Sequence, residues 1–253
     1  MRPLLPALFI FLLTLSSCAS KEESESSASL VHSIPVDNLE EAKAIVARTT
    51  VSCEEPGKCP ANVALFTGAQ KDKALSCTGF LVGKDLIVTN SHCLPAPVRY
   101  DPKACAEHVR FFFPAAEGFP AMSVGCKELL GRSDPVTTFS PDLAVLRLEK
   151  ELPRPILTID HRGVKPNTNY TAFKINPIES DGLSGILKIQ GCKTITNSYR
   201  FPLYRKSSDS IFVAADCPQV HGNSGSPLVN EVGAAVGVLQ AELKKFRIDR
   251  RTQ

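Results

Sequence analysis

His221-Gly222-Asn223-Ser224-Gly225-Ser226-Pro227 sets a serine among small, turn-forming neighbours, just ahead of the apolar pair Leu228-Val229. A serine hydroxyl is a poor nucleophile unless a base takes its proton. Attack on a carbonyl also calls for backbone N–H groups aimed at the oxyanion that develops. A Gly-x-Ser-Gly turn suits this, because glycine reaches the tight conformations that point successive N–H groups inward. A base and an orienting acid stand upstream. Thr89-Asn90-Ser91-His92-Cys93 follows the apolar runs Phe80-Leu81-Val82 and Leu86-Ile87-Val88. Asp142 heads the alternating segment Leu143-Ala144-Val145-Leu146-Arg147-Leu148.

At separations of 50 and 82 residues, His92, Asp142 and Ser224 follow the chymotrypsin order, distinct from those of subtilisin and the α/β-hydrolases. From about residue 51 to about 240 the chain resembles the trypsin/chymotrypsin superfamily of serine proteases. The turn from Gly222 to Pro227 resembles that of the bacterial glutamyl-endopeptidase branch; animal enzymes carry Gly-Asp-Ser-Gly-Gly-Pro there. The resemblance implies an all-β fold of two antiparallel Greek-key six-stranded barrels with the active site in the crevice between them. His92 and Asp142 would come from the first barrel and Ser224 from the second. It also implies roles: Ser224 as nucleophile, His92 as general base, and Asp142 fixing the imidazole tautomer. The backbone N–H groups of Gly222 and Ser224 would form the oxyanion hole. Ser226 is the competing serine and Asp134 the fallback acid. Of five histidines, His92 alone sits in an Asn-Ser-His-Cys context resembling the family's Ala-Ala-His-Cys. His32, His108, His161 and His221 lack it.

The 253 residues suffice for one large all-β domain or two small barrels. Hydrophobic content of 43% and charged content of 22% are ordinary for a globular protein. A net charge of +3 is too small to argue for a nucleic-acid partner, and none is expected. The absence of Trp and the 19 prolines favour short elements joined by turns. Strand signals fall at 63–66, 76–81, 85–89, 109–113, 122–130 and 143–148. A second set follows at 169–175, 183–191, 201–203, 210–215, 227–229 and 234–240. Residues 36–48 carry apolar positions on one helical face, with Asp37 or Asn38 as a cap. Residues 151–155 are a proline-marked connector. The expected organisation is a lipoprotein signal peptide over 1–17, a lipidated tether over 18–35, a pre-domain helix with the N-terminal barrel over 36–154, and the C-terminal barrel over 155–253.

The leader begins with Arg2 and continues as an apolar stretch from Leu4 to Leu15, too short for a comfortable membrane span. It ends in Leu15-Ser16-Ser17-Cys18, which resembles the bacterial lipoprotein box. Cys18 would then carry lipid and lead into a Ser- and Glu-rich tether that cannot bury surface. The expected location is the bacterial cell envelope, anchored at the outer membrane or periplasmic face. A plain signal peptide cut near Ala19 or Ser20 is the alternative, giving a secreted protein. Eight further cysteines form an even set, which fits an oxidising compartment. The family resemblance implies Cys77–Cys93. Sequence proximity suggests Cys53–Cys59, Cys105–Cys126 and Cys192–Cys217. No Cys-x-x-Cys pair argues for zinc, and no motif calls for a metal or cofactor.

Several positions depart from the family pattern. Asn223 stands where animal enzymes carry an aspartate that pairs with a newly cut N-terminal amine. No Ile-Val-Gly-Gly-like segment precedes Val63, so activation by N-terminal insertion is not expected. The specificity pocket should have its floor near Cys217-Pro218-Gln219-Val220 and its wall on Val236-Gly237-Val238-Leu239-Gln240. Neither segment holds an acid, so a preference for Lys or Arg lacks its usual charge. Leu239 or Gln240 replaces the wall-strand histidine of glutamyl endopeptidases, so a glutamate preference lacks its usual support as well. Only 13 residues follow Gln240, where family members continue with another strand and a helix. Two functions follow. The first is an exported, membrane-tethered serine endopeptidase, a monomer acting on protein or peptide substrates. The second is a protease-fold binding or structural lipoprotein with little turnover because its C-terminal barrel is shortened.

Overall fold

The computed structural model describes residues 31–133, 142–162, 164, 165, 167–178, 182–194 and 215–240. The chain opens with β1 (His32–Pro35), α1 (Leu39–Arg48) and β2 (Val51–Cys53). Strands β3 (Val63–Gln70), β4 (Lys73–Leu81) and β5 (Leu86–Thr89) follow, then two short helices, α2 (Ala96–Tyr100) and α3 (Cys105–His108). The first half ends with β6 (Val109–Phe113), β7 (Met122–Arg132) and β8 (Ala144–Leu148). The second half supplies β9 (Asn169–Pro177), β10 (Gly185–Thr194), β11 (Ala215–Asp216), β12 (Pro227–Val229) and β13 (Ala235–Val238).

Six antiparallel strands in the order β4-β3-β6-β7-β8-β5 form a barrel, closed by the pairing of β4 with β5. Register decides what faces inward. Phe66 opposes Cys77 and Phe111, Phe111 opposes Val124, and Ile87 opposes Leu146. Strand side chains alternate faces, so these residues share the barrel interior. Ala64, Phe66, Ile87, Phe111, Val124 and Leu146 lie in one buried cluster. Phe66 and Phe111 meet edge to face with ring centroids 5.5 Å apart, a favoured aromatic geometry. The intervening β3 residues Val63, Leu65 and Ala69 enter a second cluster with Leu157, Ile175, Leu187 and Val229. That second cluster joins the barrel to the other half of the chain and explains why β3 is buried along its whole length. Two register shifts in β7 are bulges, which bend a strand around a barrel.

The second sheet runs β11-β10-β9-β12-β13, with β2 added parallel to β10. On one face, Tyr170 opposes Cys192 and Ala172 opposes Leu228. These four pack with Val164, Cys217, Val236 and Leu239. The expected strand at 201–203 and most of that at 210–215 lie outside the described residues. The all-β expectation of a trypsin-like double barrel holds: a closed six-stranded barrel stands beside a second antiparallel-rich sheet.

The helix expected over 36–48 forms as α1. Asn38 Oδ1 accepts from Glu41 N at 2.9 Å, Glu40 and Glu41 lie near the positive helix start, and Arg48 lies near its end. Ala42 and Val46 are its buried face. The tether expected over 18–35 ends sooner than its composition implied. His32–Pro35 pair with Ala74, Leu75 and their neighbours as β1, because the edge of β4 offers unpaired backbone groups. Helices α2 and α3 were not foreseen; at five and four residues they are too short to register as periodicity. All four expected disulfides are present: Cys53–Cys59, Cys77–Cys93, Cys105–Cys126 and Cys192–Cys217. The connector at 151–155 is pinned by Arg154, whose buried guanidinium donates to the carbonyls of Ala61 (2.8 Å), Pro114 (3.4 Å) and Pro120. It also lies 4.9 Å from the Phe113 ring centroid. No helix among the described residues is long and apolar enough to cross a membrane.

Candidate active site

The strand β5 ends at Thr89 and the chain turns through Asn90 into a single 3-10 turn, Ser91–Cys93. Asp142 lies just before β8, the strand that pairs with β5. That pairing brings the two together. The Asp142 carboxylate is buried and accepts twice from one residue: Oδ1 takes the His92 backbone N–H at 2.9 Å, and Oδ2 meets the ring Nδ1. The Asn90 side-chain amide donates to the Asp142 carbonyl at 2.6 Å and fixes the acid from behind. With Nδ1 committed to the carboxylate, Nε2 is the ring nitrogen left without a partner. One His92 ring nitrogen also lies within 4.8 Å of both sulfurs of the Cys77–Cys93 bridge. Arg99 of α2 donates to the carbonyls of His92 at 2.9 Å and Leu94 at 3.0 Å, closing the turn from the solvent side.

The Ser224 turn is anchored to the first barrel through Thr78, the neighbour of Cys77. Thr78 N donates to the Ser224 carbonyl at 2.7 Å, and Thr78 Oγ1 donates to the Gly222 carbonyl at 3.0 Å. Gly225, at φ +87°, lies so close that a Cβ there would stand 1.9 Å from the Thr78 carbonyl oxygen and 2.5 Å from Thr89 Oγ1. Only glycine fits both that contact and that backbone angle. Gly222 also has a positive φ, +97°. Asn223 is fully buried. Its Nδ2 donates to Ile175 O at 3.1 Å and to Asn176 Oδ1 at 2.9 Å, while its Oδ1 accepts from Val220 N at 3.0 Å.

The backbone donors of the turn divide by position. Asn223 N bonds Val220 O, Gly225 N bonds Leu239 O, and Ser226 N bonds Asn223 O. Among the described residues, the N–H groups of Gly222 and Ser224 have no internal acceptor. Those are the two donors the sequence pointed to. Ser224 Oγ and His92 Nε2 are both buried, and neither has a hydrogen-bond partner among the described residues. Buried polar groups are rarely left unpaired, and these two share that state with Asn62 Oδ1, Asn90 Oδ1, Gln219 Oε1 and Ser226 Oγ. Ser226 Oγ is also unpaired, but its backbone is held by Asn223 O and Leu239 N. Asp134, the fallback acid, lies outside the described residues. Thr78, Asn90 and Arg99 were missed from sequence; Asn90 and Thr78 stand beside motif residues, whereas Arg99 gave no signal.

The expected pocket walls are neighbours. Leu239 bonds Gly225 and Ser226 through its backbone and shares an apolar cluster with Cys217. No curated protein sequence matches the chain. Among solved structures it is similar to the scabies mite inactivated protease paralogue S-D1, at 15% identity, over 76% of this chain and 88% of that one, with a TM-score of 0.51. At that identity the likeness speaks for the fold alone. The family profile described as the trypsin-like peptidase domain matches residues 77–238, a stretch that takes in His92, Asp142 and the whole Ser224 turn. The chain belongs to the trypsin-like peptidase family.

Proposed function

We propose that this protein is an exported, membrane-tethered serine endopeptidase working through Ser224, His92 and Asp142. The observation that carries the reading is the double hold of Asp142 on His92, next to a serine turn whose Gly222 and Ser224 N–H groups have no acceptor among the described residues. Ser224 Oγ attacks the peptide carbonyl and passes its proton to His92 Nε2. Asp142 keeps the other ring proton on Nδ1 and stabilises the imidazolium. The Gly222 and Ser224 N–H groups receive the oxyanion, each donor being worth roughly 3–4 kcal/mol in such holes. His92 then protonates the leaving amine, and water hydrolyses the acyl-enzyme by the same route. The turn sequence supports a place near the bacterial glutamyl-endopeptidase branch. The wall-strand histidine of that branch is missing, so its substrate reading does not transfer.

A second reading, a protease-fold binding or structural lipoprotein with little turnover, is favoured by one observation. Ser224 Oγ and His92 Nε2 make no hydrogen bond to each other. In substrate-free proteases this contact is commonly loose, so it weighs less than the donor pattern. Fluorophosphonate labelling decides. Labelling that disappears in Ser224→Ala but persists in Ser226→Ala supports the enzyme; an unlabelled wild type supports the second reading. For the anchor, Cys18→Ser should release the protein from membranes, since acyl chains supply the apolar area that holds it there.

A further inference from the structure

A cleft of about 720 Å³ opens between β2 and the hairpin that joins β6 to β7, and none of its lining residues belongs to the serine or histidine turn. One wall is β2 itself, which pairs in parallel with β10. In that pair Thr50 O accepts from Gly185 N at 3.0 Å, and Glu54 N donates to Leu187 O at 3.0 Å. Successive residues of a strand turn their backbone groups to opposite sides. Those of Thr50, Ser52 and Glu54 therefore face β10, and those of Val51 and Cys53 face away from it. No other strand among the described residues pairs with β2, so Val51 and Cys53 present an open edge to the cleft. Such an edge is a template for one more strand. The wall opposite carries the small side chains of Ala115, Ala116 and Ala121. Walled on that side, the edge admits a single extended chain rather than a second sheet.

Both walls are held in place. On the hairpin, Ala116 and Phe119 exchange backbone hydrogen bonds at 2.9 Å, and Arg154 holds the carbonyls of Pro114 and Pro120. Beyond β2, the Cys53–Cys59 bridge closes the loop that carries Pro56 and Gly57. A slot formed in advance binds without the cost of ordering its own walls. Charge narrows the occupant. Glu54 is bonded to Lys188 and Glu55 to Lys58, each at 2.6 Å. Glu117 is the charged residue lining the cleft; it is exposed and makes no ion pair among the described residues. The described residues end just beyond β13, at the opposite edge of this sheet, which favours another molecule over the chain's own end. We infer that the cleft binds an extended segment of another protein, added as a strand to β2, in which apolar residues alternate with a lysine or arginine that meets Glu117. Main-chain hydrogen bonds to Val51 and Cys53 supply the affinity, and the alanine wall and Glu117 supply the selection. The inference stands apart from the catalytic reading, since no residue of the triad lines the cleft.

The probe is the peptide acetyl-Val-Lys-Val-Lys-Val-amide with a fluorophore, titrated by anisotropy against the full-length protein carrying Ser224→Ala to prevent cleavage. It should bind one to one. Replacing both lysines of the peptide by glutamate should weaken binding about fivefold at low salt, as for an exposed charge pair. Glu117→Lys should reverse that preference, and since Glu117 is exposed the fold is not at stake. Only alternate amides of the peptide can face β2. Methylating that set should weaken binding about tenfold or more, and methylating the other set should leave it unchanged. Absence of binding, equal tolerance of both methylated sets, or a preference unmoved by Glu117→Lys would overturn the inference. So would self-association of the protein that the peptide reverses, which gives the edge to a second copy. Binding seen only in a chain ended at Gln240 gives the cleft to the chain's own end, and the inference falls there too.

Discussion

Asn223→Asp should destabilise this protein, although aspartate is the residue animal relatives carry in that place. The side chain is fully buried, with two donated hydrogen bonds, to Ile175 O at 3.1 Å and Asn176 Oδ1 at 2.9 Å. A carboxylate would turn an oxygen toward both acceptors. Rotating the Asn176 amide could relieve one contact but not the one with the Ile175 carbonyl. An uncompensated buried charge destabilises by about 3–5 kcal/mol. Burial and the facing oxygens would raise the new carboxyl's folded pKa above its unfolded value near 3.9. The sign follows: the penalty is smallest below about pH 4, grows as pH rises, and levels off once the folded group ionises. Urea midpoints for Asn223→Asp and wild type, both carried in Ser224→Ala to prevent autolysis, would be compared at pH 4, 6 and 8. A difference under about 1 kcal/mol at pH 8, or one that shrinks as pH rises, would refute the expected cost of a carboxylate in place of this buried amide.

Three further outcomes are expected. Asp142→Asn should lower the acylation rate by roughly 10⁴-fold, because an amide facing Nδ1 favours the wrong tautomer; the labelling rate measures it, and a loss under tenfold would count against the triad. The Cys77→Ala/Cys93→Ala variant loses a bridge spanning 16 residues, about 3 kcal/mol by chain entropy, and should lose labelling at temperatures where its circular dichroism is still native. Labelling that falls only when the fold melts would reject a role for the bridge in holding His92. Asp160 is held down to about 2, chiefly by hydrogen bonds from Arg162. A depressed folded pKa confers stability that is complete above about pH 4 and lost as pH falls toward 2, so Asp160→Asn should flatten the acid limb of stability against pH. An unchanged limb would exclude that contribution.

The first barrel was legible because its strands answer to one constraint each. In β8, Ala144, Leu146 and Leu148 are buried while Val145 and Arg147 are half-buried, the two-residue period of a strand with one face inward. The serine turn and histidine turn were legible because their chemistry needs particular residue types in sequence. What escaped notice depends on neighbours distant in the chain. β1 exists because β4 has an open edge. Arg154 is buried because three carbonyls and two aromatic rings converge on it. Lys174 reads as a solvated strand cation until pairing turns its face toward Cys217 and Leu239. No local pattern carries that information.

Thr78 is where the two halves of the site become one object. Its N–H and hydroxyl hold the carbonyls of Ser224 and Gly222, and its own carbonyl accepts the Thr89 hydroxyl at 2.7 Å and lies against Gly225. The residue before it is bridged to Cys93, the residue after His92. The Ser224 turn, with its Gly222 and Ser224 N–H groups, and the His92 turn are thus all fixed to a single stretch of β4, which belongs to the closed barrel and is buried from Ala74 to Leu81. Preorganised donors are effective because they need not move as charge develops. A barrel strand, paired along its length by β3 and at Phe80 and Leu81 by β5, is a rigid place from which to hold them. His92 and Asp142 lie on the first barrel and Ser224 on the second sheet, and β4 is the seam at which one is held to the other.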